Sequence, residues 1–136
     1  MSKAADALAR GRSIILASAQ GPDDPGIATT LEWCRDRGIS PNAARDRLGG
    51  ALGLILRDLL EATGIRRAIV AGGDTSGHAA QQLEIDALEF LMPTAPGSPL
   101  CRVSSRRGSL DGLEVVLKGG QVGQMDFFGR VMRGTL

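Results

Sequence analysis

The stretch RAIVAGGDTSG, residues 67–77, constrains this chain more than any other. Ala68 to Ala71 run without polar alternation into two glycines, an acid, two hydroxyl residues and a third glycine. A short, unalternated apolar run is the signature of a strand covered on both faces. The next segment, Ser76–Leu83, reads as a helix. LEVVLKGGQVG, residues 113–123, has the same form: an apolar strand that ends in a lysine and a second group of glycines. Buried strands alternating with helices demand a sheet with helices on its faces.

The rest of the chain fits that scheme. Residues 2–10 read as a short helix and Ser13–Ala17 as a buried strand. GPDDPG at 21–26 is a loop, and 27–37 has weak helical periodicity ending at Gly38. The clearest helix starts with Ser40 as cap and Pro41 in its first turn, and stops at Gly64. Leu48, Leu52, Ile55, Leu56 and Leu59 predict its buried stripe, with Arg45, Arg47, Arg57 and Asp58 outside. Arg67–Ala71, Ala87–Met92, residues 101–106 and Leu113–Lys118 are the remaining strands, and 93–99 is a proline-rich loop. A helix around 125–132 closes the chain, with Phe127 and Phe128 packing it onto the core. The expectation is one α/β domain over 1–136: a three-layer α/β/α sandwich with a mainly parallel sheet.

Composition narrows the function classes. Lysine and arginine total 16 against 15 acidic residues, so the net charge of +1 gives no broad pull toward nucleic acid or an anionic membrane. With one Trp, three Phe and no Tyr, a base-stacking surface is hard to build. No apolar run approaches the roughly 20 residues that span a bilayer. Cys34 and Cys101 fit no metal-ligand spacing and read as small buried hydrophobes in a reduced, cytoplasmic setting. Arg102, Arg106 and Arg107 read as a solvated face.

In sheets of this class ligands bind beyond the carboxyl ends of the strands, where both glycine groups fall. A helix N-terminus there presents unpaired N–H groups and the positive end of a dipole to an anion. Thr75 and Ser76 can add hydroxyl donors or cap the helix. Asp74 beside a phosphate needs a bridging Mg²⁺, a capping role or a sugar hydroxyl. Lys118 can hold its ammonium over a phosphate chain. The bland alternative is a pair of glycine-rich turns with an exposed lysine. Neither a G-x-x-x-x-G-K-[ST] loop nor a G-x-G-x-x-G fingerprint is present. His78, the only histidine, reads as a surface residue, and no catalytic residue is singled out.

GGDTSG at 72–77, APGSP at 95–99 and LKGGQVGQMDFF at 117–128, in this order, resemble the nucleotide-binding C-terminal part of the four-carbon acid sugar kinases. The resemblance covers residues 12–134 and implies an ATP-dependent kinase, with Mg²⁺, acting on small sugar acids such as threonate or erythronate. It implies that Gly72, Gly73, Asp74, Thr75, Ser76 and Gly77 line one side of the nucleotide site. Lys118, Gly119, Gly120 and Gly123 would line the other, with Pro96, Gly97 and Pro99 shaping a neighbouring loop. Two positions depart from the pattern: Gly119 stands where a serine is usual, and Val122 where an aromatic is usual. The Asp-Asp segment of the acid-sugar site, and the first strand and serine-rich loop of the nucleotide domain, are not matched. The expectation is a nucleotide-binding portion, inactive alone, whose acid-sugar-binding domain or subunit is a partner. A non-catalytic oligomeric or regulatory module and a sugar-phosphate-binding protein are the competing readings.

Overall fold

Two strands that the sequence marks most clearly lie side by side. In the computed structural model, which describes residues 2–135, β1 (Arg67–Ala71) pairs in parallel with β4 (Glu114–Lys118), from Arg67 opposite Glu114 to Ala71 opposite Lys118. β2 (Ile85–Ala95) and β3 (Ser98–Ser105) form a hairpin, and β3 runs antiparallel to β4. The sheet order is β1-β4-β3-β2.

This sheet is mixed, which corrects the expectation of a mainly parallel one: a single pairing is parallel and two are antiparallel. The cause is local. Residues 93–99, expected as a loop, belong largely to the hairpin, which turns at Pro96-Gly97 with Gly97 at φ +68°. A tight turn can join only antiparallel strands; parallel neighbours need a crossover. Pro93 is tolerated because β2 is an edge strand.

Helices α3 (Pro41–Thr63) and α4 (Gly73–Gln82) cover one face of the sheet, and α5 (Phe127–Arg133) covers the other. The chain is thus one small α/β domain in three layers. α1 (Ser2–Ala9) and α2 (Pro25–Asp36) pack against α3. On the α3/α4 side Leu60, Ala68, Leu83, Val103, Leu110, Leu113 and Val115 form the core. On the α5 side Leu100, Val116, Phe127 and Val131 do. Val115 and Val116 are neighbours in β4 on opposite faces, each fully buried, as expected of a central strand with cover on both sides.

Ser13–Ala17 does not form the predicted strand; residues 12–17 carry no regular structure, and Ile15 is 74% exposed. A strand exists through its ladder, and this segment is not paired to the outer edge of β1.

The ends of α3 follow the sequence closely. Ser40 accepts a hydrogen bond from the Ala43 N–H, and Gly64 closes the helix in the left-handed conformation at φ +66°. Its buried stripe is shifted, however. Gly49, Gly53, Leu59 and Leu60 are buried, whereas Leu48 and Ile55 are exposed. The glycines are the reason. A methyl group added at Gly53 would lie 2.8 Å from Gln82 Cγ and 3.1 Å from Ala79 Cα, and one at Gly49 would lie 2.5 Å from His78 Cδ2. α4 crosses so close that only glycine fits, and this contact turns α3 about its axis.

Candidate functional site

Because β1 and β4 are parallel neighbours, their carboxyl ends lie together, and so do the two glycine groups. The Gly72 N–H donates to the Lys118 carbonyl at 2.9 Å, and a Cβ built on Gly120 would stand 4.0 Å from Gly72 Cα. The β2–β3 turn, containing Pro96 and Gly97, is at this same end, since β3 starts where β4 finishes: Leu100 pairs with Val116. The three segments singled out in the sequence therefore converge.

α4 begins earlier than the predicted Ser76. Gly72, at φ +122°, is its cap residue, so Gly73, Asp74, Thr75, Ser76 and Gly77 form the opening of the helix itself. Neither Thr75 nor Ser76 caps it, and no side chain does. Thr75 folds its hydroxyl back toward Gly72. The Ser76 hydroxyl reaches toward the Val70 and Lys118 carbonyls, at 3.5 and 3.4 Å, and so bridges the ends of β1 and β4. Gly73 and Gly77 face open space: a Cβ at either would meet nothing within 4 Å. Asp74 is exposed, and its carboxylate favours the positive end of the helix.

Opposite stands the loop after β4. Lys118 is 5% exposed, and its ammonium turns back into that loop. It donates to the Gly119 carbonyl at 2.8 Å and the Gly120 carbonyl at 3.2 Å, and lies 5.5 and 6.0 Å from the ring centres of Phe127 and Phe128. Gly123, at φ +97°, packs so tightly that a Cβ would come 2.8 Å from the Phe127 ring. Of the two phenylalanines, Phe127 is buried and Phe128 exposed.

Two concavities flank this end of the sheet. One, of about 540 Å³, lies on the α5 side and is lined by Thr94, Pro96, Val122, Gln124, Phe127 and Arg130, among others. The second, of about 360 Å³, lies between α3 and α4 and brings Arg45, Asp46, Asp74, Gly77 and His78 together. His78, expected at the surface, is half-buried against Gly49, with Nε2 3.3 Å from Asp46 Oδ1. Arg45, which the periodicity assigns to the outer face, stands with Asp46 near Asp74 because α3 and α4 cross here. The Gly49-x-x-x-Gly53 spacing was the available signal for that crossing.

The other arginines and the cysteines singled out in the sequence line neither concavity. Arg102, Arg106 and Arg107 form the expected solvated face, paired with Glu89, Asp86 and Glu84 respectively. Glu84, and to a lesser degree Glu61, raises the Arg107 pKa above its ordinary value. Cys34 and Cys101 are buried free thiols, and burial pushes Cys101 above the usual thiol range. Among the described residues no helix is long and apolar enough to cross a membrane, and no cluster of three or more His, Cys, Asp or Glu could hold a metal ion.

Known proteins share this fold. Residues 1–128 match the model of the family described as nucleotide-binding C-terminal domain. The chain is 44% identical over 133 residues to a 3-oxo-isoapionate kinase of Paraburkholderia graminis, a match covering 98% of this chain and 28% of that protein. It is 32% identical to a 3-oxo-tetronate kinase of Pseudomonas savastanoi pv. phaseolicola, covering 90% of this chain and 26% of that one. The chain thus spans just over a quarter of the length of these relatives. A solved domain of unknown function from Bordetella bronchiseptica has the same fold, with a TM-score of 0.59 at 21% identity over 96% of this chain and 35% of that one. The chain belongs to the nucleotide-binding C-terminal domains of the four-carbon acid sugar kinase family.

Proposed function

We propose that this chain is the nucleotide-binding part of an ATP-dependent kinase for four-carbon acid sugars or their oxo derivatives. Its acid-sugar site would belong to a partner domain or subunit outside this chain. The observation that carries the reading is the convergence of Gly72–Gly77 and Gly119–Gly123 at one sheet end, with open space over Gly73 and Gly77. The residues present fit a nucleotide: free helix-terminal N–H groups for phosphate, and glycine where a Cβ would fill the cradle.

In this reading Gly72, Gly73, Asp74, Thr75, Ser76 and Gly77 line one wall, and Lys118, Gly119, Gly120 and Gly123 the other. Asp74 is the carboxylate available to Mg²⁺. One carboxylate with phosphate oxygens and water is an ordinary Mg²⁺ environment, so no protein cage is required. The nucleotide supplies the phosphoryl group, and the chain's work is to hold it in place. Transfer needs the second reactant positioned as well, so the isolated chain is not a competent kinase.

A thermal-shift titration with ATP, ADP and a phosphosugar, with and without Mg²⁺, tests this. A ligand at ten times its Kd stabilises by about 1.4 kcal/mol, several degrees for a domain of this size. Gly73→Val is the control. Its side chain enters open space, so the unliganded Tm holds while the nucleotide shift disappears. A phosphosugar shift without a nucleotide shift would instead favour a sugar-phosphate-binding protein.

A further inference from the structure

Among the described residues Lys118 is the one buried lysine or arginine, and the direction of its ammonium is unexpected for a phosphate ligand. It points at carbonyl oxygens of its own loop rather than outward. Those carbonyls, of Gly119 and Gly120, are drawn to one side of the loop. In a planar trans peptide the carbonyl oxygen and the next N–H point in opposite directions. The N–H groups of Gly120 and Gln121 must therefore face away from the ammonium. Among the described residues neither of them donates a backbone hydrogen bond, whereas the Val122 N–H closes the turn onto the Gly119 carbonyl at 3.1 Å. Gly120 stands against Gly72, the cap of α4. Successive outward N–H groups beside a helix start form a concave site for an anion.

We infer that Lys118 is a positioning residue: by pinning the Gly119 and Gly120 carbonyls inward it presents the Gly120 and Gln121 amides to a phosphate group. The inference deepens the nucleotide reading above and rests on it for the source of the phosphate. The geometry explains why the lysine is buried. Its alkyl stem and ammonium are enclosed by Phe127, Phe128 and the loop, an arrangement that fixes the turn before any ligand arrives. It also accommodates Gly119 in place of a serine, since backbone N–H groups and not a hydroxyl do the binding.

The experiment is an NMR titration of the 136-residue chain with inorganic tripolyphosphate, and separately with ATP, following backbone amides and the Lys118 side-chain nitrogen. On adding tripolyphosphate the Gly120 and Gln121 amide protons are expected to move downfield, with the Lys118 Nζ resonance unchanged. Lys118→Met keeps the apolar stem and removes the pin. It is expected to disperse the Gly120 and Gln121 signals before any ligand is added, and to weaken tripolyphosphate by about tenfold or more, the scale of one or two hydrogen bonds to a charged group. A Lys118 Nζ resonance that shifts while the two amides stay still would overturn the inference, as would a variant with wild-type amide signals and affinity. The wild-type titration decides the matter even where the variant does not fold. Amide shifts with tripolyphosphate but no ATP binding would keep the positioning role and remove the nucleotide reading; ATP shifts confined to Gly73–Thr75 would do the reverse.

Discussion

At the scale of single residues, the informative positions are glycines that differ in what surrounds them. A methyl group on Gly53 would come 2.8 Å from Gln82 Cγ and 3.1 Å from the Ala79 backbone, so α4 would have to shift, whereas Gly50, one turn away on α3, meets nothing within 4 Å. The two substitutions by alanine should therefore have opposite signs. Gly53→Ala forces α3 and α4 apart and is expected to cost about 1–3 kcal/mol, as overpacking does. Gly50→Ala relieves only the entropy of a helical glycine and is expected to stabilise by about 0.5–1 kcal/mol. Urea denaturation of the two variants measures both. Equal effects would mean that the helices do not cross at Gly53. Apolar periodicity assigned Leu48 and Ile55 to the core because glycine carries no hydrophobic signal, yet here the glycines mark the contact.

At the scale of elements, caps were the most legible features and pairing partners the least. Ser40, Pro41 and Gly64 act within a few residues of themselves, so their effect is written locally. The Ser13–Ala17 segment has the apolar character of a strand, but the ladder it needs lies elsewhere in the chain, and no local signal shows whether that edge is taken. The β2–β3 hairpin is hidden for a related reason: three prolines suggest a loop, yet Pro93 sits in the edge strand β2, Pro96 in the turn and Pro99 at the start of β3, positions where proline is accepted. α2 offers a test of a cap that the periodicity did not resolve. Asp24 accepts from the Gly26 N–H at 2.8 Å and from the Gln20 N–H at 2.8 Å. These two N–H groups, Gln20 first, hold its carboxyl below the usual carboxylate range. A depressed folded-state pKa gives stability that is present above the unfolded pKa and is lost as the pH falls through the folded value. The stability difference between wild type and Asp24→Asn is therefore expected to be constant near neutrality and to shrink below about pH 4, the ordinary Asp value. Denaturation midpoints measured from pH 7 to pH 3 check it. A difference that grows on acidification would show that the cap does not favour the ionised form.

At the scale of the whole molecule, the site is legible because of one topological fact. Two apolar strands that each end in glycines bring those glycines to one place only if they are adjacent and parallel, and β1 and β4 are. The inward turn of Lys118 depends on a packing direction that no spacing encodes, whereas the grouping of Arg45, Asp46 and His78 beside Asp74 follows from the helix crossing that the Gly49 and Gly53 spacing marks. The same sheet makes the two cores one cooperative unit. Leu113 belongs to the cluster under α3 and α4, Val131 to the cluster under α5, and both are fully buried. β4 links the clusters through adjacent residues, Val115 on one face and Val116 on the other, so neither face can open without breaking the strand that supports its opposite. Leu113→Ala is expected to cost about 2–5 kcal/mol, for the lost burial and the cavity left behind. Val131→Ala, on the far face, is expected to lower the same transition rather than create a second one. Urea unfolding followed by far-UV circular dichroism and by Trp33 fluorescence should give coincident curves for the wild type and both variants, with an unchanged slope. Separate transitions in Val131→Ala would show that α5 unfolds on its own. The loop that Lys118 and Phe127 hold together would then be unable to present its amides independently of ligand.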